Sequence, residues 1–231
     1  MQNLLIIDTE TNGIEPKQNS VIEIGVILYS CDYQTTLAQL SYLLYAPDNA
    51  AETINHISPE ALGCLPDFFQ DKSLDLLQEM SANAAYAIAH NADFDQQWFG
   101  NNQHLPTLKD CNGQPIKWLC TMDMTWPKQS KPGESLVSLA LNHGIGVSSA
   151  HRALTDCQLL AELFTRLSAE QLSQQLTEAL KPRAYFQAQV SYEERQLAKE
   201  AGFRWNGKSK AWTRKMPIEE TKALPFAVVQ L

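Results

Sequence analysis

The chain has 231 residues, of which 44% are hydrophobic and 19% are charged, and its formal net charge is −8. This composition excludes a wholly disordered chain, and 11 prolines with 10 glycines exclude a collagen-like or low-complexity one. The length suits one domain of about 150–200 residues with a small appendage.

Apolar patterning predicts an α/β domain over residues 1–170, in which a mixed β-sheet is flanked by helices. Three apolar or β-branched runs, at residues 4–7, 21–28 and 37–45, have short connections and predict an antiparallel meander. Ser58 followed by Pro59 predicts a helix start. The later elements are predicted as a helix through 74–80, a strand over 84–89, a helix from 92 or 93, a loop over 127–134 and helices over 135–143 and 153–167. Strands followed by strand–helix alternation are typical of this fold class.

The C-terminal part of the chain differs from the body in charge. Residues 1–180 carry 8 Lys and Arg against 21 Asp and Glu, whereas residues 181–231 carry 10 against 5. We expect a helical linker over 171–183 and then a small α+β module over 184–218, with a hairpin turn at Asn206-Gly207. Aromatic side chains between cations favour nucleic-acid binding. The alternatives are that Trp205 and Trp212 form the module's core and that the cations form an ordinary solvated surface.

The location of the protein is predicted from features that the sequence lacks. The N-terminal segment has no basic stretch, and its apolar run ends at Asp8, which argues against a signal peptide. No apolar stretch approaches the ~20 residues that span a bilayer. The five cysteines are widely spaced and form neither a disulfide framework nor a zinc pattern. We therefore expect a cytoplasmic protein with no membrane partner.

The first acidic motif is Asp8-Thr9-Glu10, at the end of the first predicted strand. Side chains in a strand alternate with a period of two, so Asp8 and Glu10 point to the same face. Two neighbouring carboxylates repel each other unless a cation lies between them. Considered alone, the motif is short enough to occur by chance and is more typical of a solvated strand end.

Two further motifs stand at the starts of predicted helices. In His-Asn-Ala-Asp-Phe-Asp at 90–95, Asp95 falls in the first helical turn, where an acid also suits the helix dipole, and His90 could be a hydrogen-bonded core residue. In His-Arg-Ala-Leu-Thr-Asp at 151–156, Asp156 lies about 60° from the middle of the apolar stripe, at 100° per residue. A half-buried carboxylate there must be paired, neutralised or bound to a metal.

Considered together, the three motifs predict a metal-dependent phosphodiesterase. Carboxylate oxygens from Asp8, Glu10, Asp95 and Asp156 suit Mg²⁺ or Mn²⁺ better than zinc. Two such ions ~3.5–4 Å apart can activate a water and stabilise a leaving oxygen. His151 would be the general base, because imidazole exchanges protons near neutral pH.

These motifs resemble those of the DEDD family of 3′→5′ exonucleases, in the subgroup with a histidine in the third motif. Asp-Thr-Glu-Thr-Asn-Gly at 8–13 with Val-Ile-Glu-Ile-Gly at 21–25, and the motifs at 90–95 and 151–156, carry the resemblance over about residues 4–167. Trp118 to Met122, followed by Trp126-Pro127, is most similar to the exonuclease X branch, and the chain also resembles proofreading subunits of DNA polymerase III. The C-terminal module is similar to a small α+β appendage of DNA-processing proteins.

The resemblance implies an RNase H-like fold and a set of site residues. It implies metal binding by Asp8, Glu10, Asp95 and Asp156, with His151 as the base. For the terminal nucleotide it implies contacts at Thr9, Thr11, Ile14, His56 and Asn91. One position departs from the family pattern, since Asn55 stands where the family often has a histidine, with His56 next to it.

The function predicted is hydrolysis of DNA from the 3′ end, releasing nucleoside 5′-monophosphates, in DNA repair or end processing. The expected partner is single-stranded DNA or a DNA 3′ end. The nearest competing hypothesis is an RNA-trimming 3′→5′ exoribonuclease, because the residues do not resolve recognition of the 2′-hydroxyl. Two more distant hypotheses are a catalytically silent nucleic-acid-binding protein and a polymerase proofreading subunit. The five intact motif residues argue against the silent protein.

Overall fold

The computed structural model describes residues 2–100, 105–130, 133–148, 151–207 and 209–231. Its strands are β1 (Asn3–Thr11), β2 (Val21–Ser30), β3 (Thr35–Leu43), β4 (Tyr86–Ala89), β5 (Trp118–Cys120), β6 (Arg183–Ala188), β7 (Arg204–Asn206), β8 (Ala211–Pro217) and β9 (Val228–Gln230). Its α-helices are α1 (Glu52–Asn55), α2 (Pro59–Gly63), α3 (Asp67–Ala82), α4 (Ala92–Gln96), α5 (Leu136–Asn142), α6 (Ala153–Thr165), α7 (Ala169–Ala179) and α8 (Arg195–Glu200). Two short 3₁₀ turns cover Thr121–Asp123 and Ile218–Ala223.

The chain divides into two compact units, Met1–Ala179 and Leu180–Leu231. The segment predicted as a linker over 171–183 is helical as far as Ala179, and its helix belongs to the first unit. The second unit extends beyond the predicted end at 218, because β9 pairs with β6 and completes its sheet.

The first unit is built on a five-stranded mixed sheet in the order β3-β2-β1-β4-β5. β1 pairs antiparallel with β2 and parallel with β4, and β4 pairs parallel with β5. This architecture confirms the predicted mixed sheet flanked by helices. The sequence does not predict β5 as a strand, because three residues are too short to show a periodic pattern.

The close packing of α6 against β2 positions the candidate site. Gly25 faces this helix, and a Cβ atom there would lie 2.2 Å from the backbone carbon of Ala153. Since only glycine permits such an approach, the first turn of α6 rests directly on β2. Cys157, one turn further along α6, is buried and donates its S–H to the Gly25 carbonyl at 3.2 Å. The start of α6 therefore lies over the sheet face that carries Asp8, the strand partner of Gly25.

The second unit has its own antiparallel sheet, in the order β7-β8-β6-β9. Its buried core consists of Phe186, Ala188, Ala198, Phe203 and Met216. The pairing of β7 with β8 confirms the predicted hairpin, although Lys208 in its turn lies outside the described residues. Trp212 packs against the core, whereas Trp205 is 55% exposed, so the interpretation of both tryptophans as core holds only for Trp212.

Within the described residues, no helix combines the length and the apolar character that crossing a membrane requires.

Candidate active site

The end of β1 carries the first two acids of the site. Asp8 and Glu10 are two positions apart in one strand, so their side chains share a sheet face. In the register with β2, Asp8 lies opposite Gly25 and Glu10 lies opposite Glu23. Because Gly25 has no side chain, the backbone of α6 can approach the sheet next to Asp8. Glu10, in contrast, has the carboxylate of Glu23 beside it.

The third motif brings a histidine and an acid to the same face. His151 lies just before α6 in a left-handed backbone conformation, with φ of 61°, and its side chain is exposed. Asp156 lies in the first turn of α6, and its N–H donates to the Arg152 carbonyl at 3.1 Å. One ligand atom from each of Glu10, His151 and Asp156 lies within 4.8 Å of the other two. The structure thus brings together two of the predicted metal ligands and the predicted base.

Asp95 reaches the end of β1 from α4 and is buried there. Its Oδ1 accepts the Thr9 backbone N–H at 3.0 Å and the Thr9 hydroxyl at 2.9 Å. This contact is possible because β4 pairs with β1 only as far as Ile6, which leaves the later part of β1 without a strand neighbour on that side. Asp95 is therefore fixed to the strand that carries Asp8 and Glu10.

The carboxylates interact strongly in the metal-free protein. Burial raises the pKa of Asp8 well above its ordinary value, and the neighbouring charges of Asp95, Asp156 and Glu10 raise it further. Burial and the Asp156 charge raise the pKa of Glu10 to about 8. Burial also raises the pKa values of Asp95 and Asp156. A cluster that disfavours its own negative charges in this way is suited to a cation.

The donor set fits a divalent metal ion. Among the described residues, the Oδ1 atom of Asp156 is buried and has no hydrogen-bond partner. A buried carboxylate oxygen without a donor is costly unless a cation satisfies it. Glu10 and Asp156 offer hard carboxylate oxygens beside the His151 ring. Asp8 and Asp95 add two more carboxylates, and the charges of Asp95, Asp156 and Glu10 all act on Asp8.

The five residues predicted to contact substrate fall into two groups, with two side chains hydrogen-bonded within the protein and three exposed to solvent. The Thr9 side chain is committed to Asp95, and the Thr11 hydroxyl donates to the Gly13 carbonyl at 2.6 Å. The side chains of three others, Ile14, His56 and Asn91, are exposed, and Ile14 is 74% exposed. His56 and Asn91 both adopt left-handed backbone conformations at helix ends.

Asn55, at the position where the family often has a histidine, has a structural role. It is fully buried, accepts from Asn49 Nδ2 at 2.8 Å and from the Ile57 N–H at 3.1 Å, and donates to the Thr11 carbonyl at 3.3 Å. The side chain therefore ties the segment around α1 to the end of β1. The adjacent His56, by contrast, is exposed to solvent.

His90 is a hydrogen-bonded core residue, one of the two interpretations left open by its sequence. Its two ring nitrogens bond to the Thr121 hydroxyl and to the Glu134 carbonyl, both at 2.9 Å. Burial lowers the pKa of His90, which favours the neutral ring. Both nitrogens are occupied, so His90 holds β4 against the segments that follow it.

Sequence reasoning missed one ion pair at the site, between Glu23 on β2 and Arg152 before α6. Glu23 is 1% exposed, and the Nη2 atom of Arg152 lies 2.8 Å from its Oε1. The available signal was a charged residue inside an otherwise apolar strand. Its partner lies 129 positions further along the chain, so no local pattern could identify it.

A mixed sheet whose central strand ends in paired acids, with one further acid from each of two helices, defines the class of RNase H-like nucleases. Within this class the chain belongs to the exonuclease family, whose model matches residues 5–164. A second model, described as a domain of unknown function, matches residues 184–231.

Two relatives are subunits of a polymerase. The chain is 28% identical over 173 residues to DNA polymerase III subunit epsilon of Treponema pallidum (strain Nichols), which covers 72% of this chain and 77% of the relative. It is 30% identical over 171 residues to the same subunit of Rickettsia conorii (strain ATCC VR-613 / Malish 7), with 71% and 72% covered.

Solved structures share the fold at lower identity. Exonuclease X in complex with 5′-overhanging duplex DNA matches with a TM-score of 0.52 and 24% identity, covering 74% of this chain and 98% of that one. The nuclease domain of 3′hExo, a DEDDh family member bound to rAMP, matches with a TM-score of 0.54 and 15% identity, covering 71% and 90%. These comparisons confirm the predicted DEDD family and a 3′→5′ exonuclease that acts on nucleic acid. The family depends on divalent metal ions.

Proposed function

We propose that this exonuclease hydrolyses DNA from the 3′ end, releases nucleoside 5′-monophosphates and acts in DNA repair or end processing. The observation that carries the proposal is the convergence of Glu10, His151 and Asp156, whose ligand atoms lie within 4.8 Å of one another at the end of β1. The similarity to epsilon subunits of a DNA polymerase favours DNA over RNA.

Four carboxylates would hold the metal, which we propose to be Mg²⁺ or Mn²⁺ with two ions per site. Glu10 and Asp156 have ligand oxygens within 4.8 Å of each other, Asp8 shares the sheet face of Glu10, and Asp95 offers the oxygen that Thr9 does not occupy. Bound divalent cations offset phosphate charge and polarise both the attacking water and the leaving oxygen. The hard oxygen ligands support this choice of ions.

His151 is proposed to take the proton of the attacking water. Its ring is exposed to solvent, and its ligand atom lies beside those of Glu10 and Asp156. The water oxygen bonds to phosphorus, and the bond from phosphorus to the O3′ of the preceding nucleotide breaks. The terminal nucleotide leaves with its 5′-phosphate, and a proton returns to O3′.

The protein's own residues would also orient the 3′ end. We propose that the exposed side chains of Ile14, His56 and Asn91 contact the terminal nucleotide, together with the backbone near Thr9 and Thr11. Ile14 would act as an apolar wedge against a base, since three quarters of its surface is exposed.

The second unit is proposed to hold DNA through its sheet. Its four strands contain four cations and no carboxylate among their residues, whereas the unit's acids lie near α8 and in the turn after β8. Arg204, Thr213, Gln187 and Val229 form one cross-strand row on the face opposite the buried Phe186. An acid-free sheet with the half-exposed Tyr185 suits a phosphate backbone and stacked bases.

Combined substitution of Arg204→Gln and Lys215→Gln tests this surface. We expect weaker DNA binding and a salt slope shallower by up to about 2, with the rate at saturating DNA unchanged. Lys222→Gln, outside the sheet, is the control. An unchanged salt slope would remove the second unit from DNA binding.

One assay tests polarity, sugar and strandedness together. The protein is incubated with 3′- or 5′-labelled single-stranded DNA, duplex DNA and RNA, with Mg²⁺, Mn²⁺ or EDTA. We expect shortening from the 3′ end of single-stranded DNA in the presence of metal. Preferential trimming of RNA would favour an exoribonuclease, and binding without cleavage would favour a catalytically silent protein.

A cytoplasmic setting is proposed for the enzyme. All five cysteines are free, which suits a reducing compartment.

A further inference from the structure

Glu23 is a buried carboxylate that the proposed reaction does not use. It lies on β2 and is surrounded by donors. The Arg152 Nε donates to its Oε2 at 3.0 Å, and the Arg152 Nη2 donates to its Oε1 at 2.8 Å. The Ser41 hydroxyl and the Ala153 backbone N–H also donate to it, at 3.2 and 3.1 Å. With four hydrogen bonds from three residues, the carboxylate is fixed in one position.

The bond to the Ala153 N–H makes Glu23 the N-terminal cap of α6, provided from another strand. The first amide groups of a helix have no partner within the helix, and a side chain at the preceding position usually satisfies one of them. Arg152 occupies that position and provides no such bond. Glu23 therefore performs the capping from β2, next to Gly25, where the helix approaches the sheet most closely.

The capped residues lie between His151, which precedes α6, and Asp156, in the first turn of α6. His151 immediately precedes Arg152, and the Asp156 N–H donates to the Arg152 carbonyl. His151 also has a positive φ of 61°, a backbone conformation that is uncommon for a residue with a side chain. A shift of Arg152 would move His151 and Asp156 together.

We infer that Glu23 and Arg152 are positioning residues, which fix the first turn of α6 so that His151 and Asp156 reach Glu10. The role of His151 in this inference rests on the proposed function, whereas the effect on metal binding does not. The planar guanidinium makes two parallel bonds to one carboxylate, which a lysine cannot reproduce. Arg152 also places a positive charge beside the pair of opposed carboxylates, Glu10 and Glu23.

The test compares Glu23→Gln, Arg152→Lys and Arg152→Gln with the wild type in the full chain. Mn²⁺ affinity is measured by calorimetry, and kcat and KM are measured on single-stranded DNA. We expect Glu23→Gln and Arg152→Gln to weaken Mn²⁺ binding and to lower kcat by ~10–100-fold, with KM changed less than about threefold. The Mn²⁺ affinity and kcat of Arg152→Lys should lie between those of Arg152→Gln and those of the wild type.

Glu162→Gln is the matched control, because it breaks an exposed ion pair with Arg166 near the other end of the same helix. It should leave Mn²⁺ affinity and kcat unchanged. Wild-type Mn²⁺ affinity and kcat in a folded Arg152→Gln protein would overturn the inference, even if its melting temperature fell. Arg152 has a half-exposed side chain, so this variant remains informative if Glu23→Gln does not fold.

A wild-type protein that binds Mn²⁺ but degrades no DNA would contradict the proposed function alone. The difference in Mn²⁺ affinity between the wild type and Arg152→Gln would still decide the role of the pair.

Discussion

Thr9 donates both its backbone N–H and its hydroxyl to a single oxygen of Asp95, at 3.0 and 2.9 Å. The two residues are 86 positions apart, on β1 and α4. Because Thr9 stands between Asp8 and Glu10, this contact sets the position of Asp95 relative to both acids. A cation at Asp95 is therefore expected at the other oxygen, Oδ2.

Thr9→Val tests this contact, because valine keeps the branched shape and the backbone N–H but lacks the hydroxyl. A hydrogen bond to a charged group contributes ~1.5–3 kcal/mol, so we expect kcat to fall by about tenfold or more. Single-turnover rates on a 3′-labelled oligonucleotide provide the measurement. Thr9→Ser should restore most of the rate, and equal rates for Val and Thr would show that the hydroxyl is dispensable.

Asp156→Asn should change the stability and the activity of the protein in opposite directions. The substitution removes one charge from a cluster of buried acids whose pKa values are raised, and it preserves the side-chain shape. Like charges that are buried together destabilise the folded state, so we expect a higher melting temperature in EDTA and almost no exonuclease activity in Mg²⁺. Thermal unfolding with and without Mg²⁺, together with exonuclease assays, checks both. A lower melting temperature in EDTA would mean that Asp156 stabilises the metal-free fold.

The metal-free protein should lose stability as the pH rises from about 5 to 8. The pKa of Glu10 is raised from 4.5 to about 8 in the folded protein, so over this range the folded state binds more protons than the unfolded state. When the folded state binds more protons than the unfolded state, the free energy of unfolding falls with rising pH. Urea unfolding in EDTA at a series of pH values measures this free energy.

Glu10→Gln is the control variant for this pH dependence. Its free energy of unfolding should fall less steeply with rising pH than that of the wild type. Saturating Mg²⁺ should also make this fall less steep, because a cation favours the charged carboxylates. A free energy of unfolding that rises over this range in EDTA would contradict the assigned electrostatics of the cluster.

His151→Ala should lower turnover by ~10²–10⁴, the usual contribution of a general base. Metal binding should survive, because the carboxylates remain. Steady-state kinetics together with Mn²⁺ calorimetry make the measurement. Wild-type turnover in this variant would remove His151 from the role of base.

We expect Asn55 to contribute to stability and its neighbour His56 to contribute to substrate binding. Asn55→Ala would leave the Ile57 N–H and the Thr11 carbonyl without their buried partner. We expect a loss of about 1–3 kcal/mol in the free energy of unfolding. The exposed His56→Ala should leave stability unchanged and raise KM for DNA. Urea unfolding and steady-state kinetics distinguish the two, and an unchanged KM would exclude His56 from substrate binding.

The sequence alone was sufficient for those features that local patterns encode. Alternating and continuous apolar runs predicted β1 to β4, and the 3.6-residue stripe predicted α6. The acids could be identified because each stands at the end of a predicted element, and the family resemblance linked them to one reaction. Short elements were missed for a physical reason, since β5 and β9 have three residues each and owe their structure to their neighbours in the sheet.

The tertiary structure alone decided which distant groups meet. Glu23 caps α6 from 130 positions away, Thr9 fixes Asp95, and Asn55 is buried beneath its exposed neighbour His56. Periodicity reports which side of an element is apolar and carries no information about the partner of a polar side chain. That partner depends on how closely two elements pack, and here the missing side chain of Gly25 permits the approach of α6 that completes the site.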